Sequence, residues 1–207
     1  TLANQSILNT TAVDYLILAP SIFQQTASKL KNFHQQKNGY KVDLIDPVKV
    51  YNDFSGGIVN PIAIRNYLKY AQSKAKEKGY LAAQYLCIIG GADFNISRLN
   101  KNSQVPVFES AASLDILNSY ASDDFYAILK DGADINFPSS VDSLEIAIGR
   151  IPAKTIAEAD TMINKIIQYA ANNNKGAWQN QITWVADDGD YNCLLYTSPS
   201  PRDAHES

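Results

Sequence analysis

The chain has 207 residues, with 18 Lys and Arg against 21 Asp and Glu, two Cys and two His. That length suits one domain able to bury its own core, and with Cys193 in a tail expected to be non-native the single remaining Cys87 excludes a disulfide framework while leaving the compartment open. A net charge of −3 provides no basic face, so nucleic acid is not the expected partner, and no apolar stretch approaches the roughly 20 residues that cross a bilayer.

Residues 1–12, TLANQSILNTTA, are polar and aperiodic and are expected to be a linker. With Thr1 in place of Met and no charged-then-apolar leader, the sequence reads as an internal fragment. The domain is expected over 13–192. DYLILAP is a short apolar run closed by Pro20, and Phe23, Ala27, Leu30 and His34 then recur at helical spacing until Asn38-Gly39 supplies a stop. YKVDLID predicts a second strand ended by Pro47, followed by the loop FSGG. Asn60 and Pro61 are a cap and first helical position for a helix that carries Ile64, Leu68, Ala71 and Ala75 on one face. YLCIIGG, apolar on both faces, predicts a central strand of a covered parallel sheet.

Ala92 to Ser122 has no clear period and is long for a connection. FYAIL, a turn at Asp131-Gly132 and the strand LEIAIGRIP follow. Thr155 and Glu158 form a capping box that opens a helix expected to turn Ile156, Ala159, Ile163, Ile166, Ile167 and Ala170 inward. ITWVA predicts a last strand leading into DDGDYN. Strands and helices alternating in this way predict a layered α/β fold, a mostly parallel sheet flanked by helices.

From Cys193 the sequence changes character. CLLYTSPSPRD, Cys193 to Asp203, resembles the in-frame translation of a sequencing-library adapter, so residues 193–207 are expected to be a non-native tail outside the fold. Cys193 and His205 fall in that tail, which leaves Cys87 and His34 as the thiol and imidazole to weigh. Cys87 stands in an apolar strand, where desolvation raises a thiol pKa, and nothing in the spacing brings His34 to it; a buried structural role is expected. Gly90-Gly91 lacks the third glycine of a dinucleotide fingerprint and the Lys of a P-loop, and reads as a tight turn at the carboxyl edge of the sheet. Asp188, Asp190 and Asn192 occupy the first, third and fifth places of a calcium-loop pattern, oxygen ligands for a hard cation, with an acidic surface turn as the plainer reading.

Several segments, taken in order, carry a resemblance: YNDFSGGIVNPIAIRNYLKYA (Tyr51 to Ala71) and YLCIIGGADF (Tyr85 to Phe94), then SYASDDFYAIL (Ser119 to Leu129) and LEIAIGRIPAKTIAEADTMINKIIQYA (Leu144 to Ala171), then WQNQITWVADDGDYN (Trp178 to Asn192). The series resembles the gingipain family of cysteine peptidases, most closely the branch that acts as cell-surface sortase of the bacterial type IX secretion system. GGADF stands where those sortases carry a GDGSYD-like turn, and IAIGR where DIGVGR is usual.

The resemblance implies the first half of a caspase-like or gingipain-like α/β catalytic domain whose Cys nucleophile and His base follow later strands. No position here matches the His-Gly or nucleophile motifs, which would lie beyond Asn192, so no catalytic residue is assigned and the fragment is expected to be inactive. It further implies protein substrates with a C-terminal sorting domain, transfer of the acyl group to a surface amine, other secretion components as partners, and an exported protein at the outer membrane or cell surface. No cofactor is required, with calcium the one candidate ion. Against this stands a non-catalytic binding or scaffold module of flavodoxin-like architecture, which layered architecture alone does not exclude.

Overall fold

A computed structural model describes residues 6–8, 12–93, 95–111, 114–115, 119–133, 135–136, 143–172, 176 and 180–182. Two compact units are distinguished, Thr1–Ala170 and Ala171–Ser207. All elements below belong to the first, apart from the last residue of the final helix. The strand expected at ITWVA beyond Ile182, the candidate ligands Asp188, Asp190 and Asn192, and the tail 193–207 lie outside the described residues.

Four parallel strands form the main sheet: β1 (Tyr15–Leu18), β2 (Val42–Ile45), β3 (Tyr85–Ile89) and β6 (Ala147–Ile151), in the order β2-β1-β3-β6. β1 and β3 are therefore interior, which is why YLIL and LCII are apolar at every position instead of alternating. Their side chains go alternately to two cores. Leu16, Leu18, Leu86 and Ile88 pack against α2 (Pro47–Ser55) and α3 (Pro61–Glu77) through Val50, Tyr51, Ile64 and Leu68. Ile17, Cys87, Ile89 and Ile151 pack on the opposite face against α1 (Gln24–Asn38) and α4 (Ile156–Ala171) through Ala27, Leu30, Ala159 and Ile163. The result is a three-layer α/β domain with a mostly parallel sheet, as expected.

Helix ends follow the side chains. Asn60 caps α3 by accepting from the Ile62 N–H at 2.8 Å, with Pro61 in the first turn. α1 stops at Gly39, whose backbone is left-handed. At α4 the Thr155 hydroxyl accepts from the Glu158 N–H at 3.2 Å, while the Glu158 carboxylate reaches back to the Lys154 N–H at 2.8 Å, one residue earlier than a standard capping box.

Two sequence expectations are corrected. Pro47 does not merely end β2: Asp46 accepts from the Val48 N–H at 2.9 Å and opens α2, a helix with Val50 and Tyr51 buried that runs into Phe54 and Ser55 of the expected FSGG loop. FYAIL, to which the sequence assigned no element, begins inside a single 3-10 turn, Asp124–Tyr126. On α4 only Ala159 and Ile163 are buried with Ile167 packed beside them, whereas Ile156 and Ile166 are exposed. Ile166 lines a cavity with residues of β6, the edge strand among the described residues. Among its described residues the aperiodic stretch from Ala92 holds one short antiparallel pair, β4 (Phe108–Glu109) with β5 (Ala121–Ser122). Residues 6–8 lie against α2 and α3: the Ile7 N–H donates to Asp53 at 2.8 Å and the Tyr70 hydroxyl donates to the Leu8 carbonyl at 2.8 Å.

Candidate active-site edge

In an open parallel sheet the ligand edge is the carboxyl end of the strands, at the point where the chain switches direction across the sheet. Here that point lies between β1 and β3, because β2 sits on one side of β1 and β3 on the other. The carboxyl end of β3 is capped by the chain's own backbone. Gly90 has φ +132, and a Cβ there would stand 2.9 Å from the Ser103 carbonyl oxygen. Gly91 pairs with Gln104 in an isolated bridge, and the Val105 N–H donates to the Gly91 carbonyl at 3.0 Å. The two glycines therefore serve the tight turn expected of them, with an added reason: residues 103–105 press directly on it. Residues 103–105 thus form one wall at the carboxyl end of β3.

Arg150 joins the motifs at this edge. From β6 its Nε and Nη2 donate to the two carboxylate oxygens of Asp123 at 2.7 and 2.6 Å. Nη1 donates to the carbonyls of Gly90 and Val105 at 3.2 Å, with Gly91 at 3.4 Å, and Nη2 to Pro106 at 3.2 Å. Its side chain is 9 % exposed, and a buried guanidinium of this kind is tolerable because a carboxylate and carbonyls take up its donors. IGRIP and SDDFY, two segments of the resemblance, are brought together by this pair. The following segment is held from the other side by Arg65 of α3, which donates to the Ile128 carbonyl at 2.7 Å and lies 5.1 Å from the centre of the Phe125 ring. Phe125 stacks on Phe108 at 4.5 Å, and the Tyr126 hydroxyl donates to the Pro106 carbonyl at 2.6 Å. The sequence reading missed this network. The signal was present as a lone Arg in an apolar strand, which demands an acidic partner, but nothing in the order of residues said which of the nearby carboxylates it takes.

Cys87 and His34 meet in a way that the spacing did not suggest: both line one cavity of about 400 Å³, with Tyr15, Gly149 and Ile166. They do not form a dyad. The Tyr15 ring stacks on the imidazole at 4.3 Å, and its hydroxyl is the hydrogen-bonding neighbour of the thiol. The His34 Nδ1 is engaged by the Asn38 amide at 3.0 Å. Burial pushes the thiol up to about 11 and pulls the imidazole below its ordinary value, so both groups are held neutral, the reverse of a thiolate–imidazolium pair. Tyr40 and Tyr85 extend the aromatic stack along the amino end of the sheet, away from the edge where chemistry is expected. Cys87 is 6 % exposed and takes the structural role expected of it.

Among the described residues no group of three or more His, Cys, Asp or Glu could hold a metal ion, and no helix is long and apolar enough to cross a membrane.

Comparison with known proteins places the fold. The crystal structure of dimeric latent PorU from Porphyromonas gingivalis superposes with a TM-score of 0.65 at 23% sequence identity, covering 86% of this chain and 17% of that one. The caspase-like, gingipain-like layered fold is thereby shown, and the chain spans less than a fifth of that relative's length. A search among curated proteins finds no match. The family model for peptidase family C25 matches residues 8–205, nearly the whole chain and every motif that meets at the carboxyl edge, and the chain belongs to that family, the gingipain family of peptidases.

Proposed function

We propose that this chain is the first part of the catalytic domain of a cysteine peptidase, of the sortase kind that serves type IX secretion, and that it is inactive as it stands. The observation that carries the reading is the family match over residues 8–205. The inactivity rests on the chain's own groups: the Cys87 thiol is buried, protonated and separated from His34 by Tyr15. A working site needs an exposed thiolate, a base within hydrogen-bond reach and backbone donors for the oxyanion, and these would come from strands that follow β6 and α4.

In that reaction the thiolate attacks the peptide carbonyl ahead of a C-terminal sorting domain, the imidazole passes the proton to the leaving amine, and an amine at the cell surface takes the acyl group. The substrates are then exported proteins, the partners other secretion components, and the place of work the outer surface. A calcium ion held by Asp188, Asp190 and Asn192 belongs to the same proposal, their carboxylate and amide oxygens being suited to it.

The test extends the chain with the sequence that follows Asn192 in its gene and supplies a cargo ending in a sorting domain together with a primary amine. Cargo released and joined to the amine is the expected result. Release as free acid only would keep the peptidase and remove the sortase; no release at all would remove both. A calcium-dependent rise in the thermal midpoint of the extended chain, lost in Asp188→Asn, checks the ion.

A further inference from the structure

The carboxyl-edge rim contains little regular structure of its own. Between β3 and β6 the described residues contribute one isolated bridge, one two-residue strand pair and one 3-10 turn. Yet Val105 and Tyr126 in it are fully buried. What holds such segments in place is therefore unlike what holds the sheet. The fork of Arg150 reaches three separate pieces of chain: the Gly90-Gly91 turn, the carbonyls of Val105 and Pro106, and the carboxylate of Asp123. No ammonium could do the same, since a point charge on three rotatable donors cannot address a planar carboxylate and flanking carbonyls at once.

We propose that Arg150 and Asp123 form a clamp that closes the rim as one cooperative unit, separately from the two apolar cores, and that the clamp acts through the geometry of the fork and not through charge alone. Removing the pair takes a donor from four buried or half-buried carbonyls, of which Gly91 keeps the Val105 N–H and Pro106 the Tyr126 hydroxyl, and leaves residues 103–106 tied to the turn after β3 by the Gly91–Gln104 bridge and the Val105 N–H bond alone. β1, β3 and their helices keep the apolar contacts that define the cores. The rim then opens at a free energy below that of global unfolding, the behaviour of a low-stability unit on a rigid scaffold. Its use as the wall of a peptide-binding cleft rests on the proposed peptidase function; the clamp itself does not.

The experiment is amide hydrogen exchange on the intact chain. The probes are the Val105 N–H, bonded to Gly91, and the Tyr126 N–H, bonded to the Asp123 carbonyl. The controls are the ladder amides of β1 and β3. Asp123→Asn and Arg150→Lys should each speed exchange at the probes at least tenfold and leave the controls unchanged. Should Arg150→Lys not fold, Asp123→Asn, which is isosteric, decides alone. Probes unchanged in Asp123→Asn, or probes and controls accelerated equally, overturn the clamp. Full protection in Arg150→Lys overturns the role of the fork. None of these outcomes touches the peptidase reading, which the cargo experiment tests separately.

Discussion

Gly90→Ala is the sharpest test of the way this edge is built. Gly90 sits at φ +132, a region closed to residues with a Cβ, and holding a non-glycine residue in sparsely populated backbone costs about 1–3 kcal/mol. The added Cβ would also stand 2.9 Å from the Ser103 carbonyl oxygen, a backbone atom that cannot swing aside as a flexible side-chain end could. Overpacking of this kind typically costs a further ~1–3 kcal/mol. Together the loss is about 2–6 kcal/mol, a large share of the ~5–15 kcal/mol that stabilises an ordinary domain. Gly149→Ala is the matched control: no heavy atom lies within 4 Å of its Cβ position and its backbone is not in the positive-φ region, so it should be neutral or stabilise by about 0.4–1 kcal/mol. Urea unfolding followed by circular dichroism reads both, and with a slope of about 1–3 kcal/mol per molar the Gly90→Ala midpoint should fall by roughly 1 M or more. Equal midpoints for the two variants would refute the close packing of residues 103–105 on the turn.

Ile163→Ala removes a fully buried side chain between α4 and the sheet and should cost about 2–5 kcal/mol, whereas Ile166→Ala on the exposed face should stay within ~0.5 kcal/mol; urea midpoints in the opposite order would place the helix wrongly. Burial holds the His34 pKa below its unfolded value of about 6.5, so the folded state binds fewer protons and stability, full above that pH, is lost as pH falls through the folded pKa. His34→Phe, which keeps a ring on Tyr15, should flatten the decline in thermal midpoint between about pH 7 and pH 5, and an unchanged slope would contradict the assignment. The Tyr51 hydroxyl is buried without a partner among the described residues, so Tyr51→Phe should leave stability unchanged or raise it by up to ~1 kcal/mol, and a loss above ~1.5 kcal/mol would mean that the hydroxyl is bonded after all.

The strands were legible because interior parallel strands are short apolar runs, and here Pro20, Pro47 and Pro152 or Gly90-Gly91 close each of them. α3 announced itself through Asn60 and Pro61. α2 did not, because Pro47 was taken only as a stop, although an Asp before a Pro is equally a cap and first turn; the burial of Val50 and Tyr51 decides between the two. The inward face of α4 was drawn too wide, since helical spacing groups six apolar residues but cannot say that β6 is the edge of the described sheet beneath them. Arg150 and Asp123 lie 27 residues apart across a stretch without periodicity, and only the parallel register that sets Arg150 beside Ile88 brings them together. The shared cavity of Cys87 and His34 has the same origin: β1 and β3 pair through Tyr15 and Tyr85, and this delivers the aromatic stack that separates the two groups.

The central claim is that this chain supplies the scaffold of a C25 peptidase while its buried Cys87 thiol stays out of the chemistry. The most direct measurement is the intact mass of the folded protein after treatment with a peptide-linked, thiol-directed peptidase inhibitor, made on the chain alone and on the chain extended past Asn192. The account predicts no adduct on Cys87 in the chain alone, and one adduct on the extended chain at a cysteine of the sequence that follows Asn192 in its gene. An adduct on Cys87 in the folded chain, abolished by His34→Ala, would contradict it.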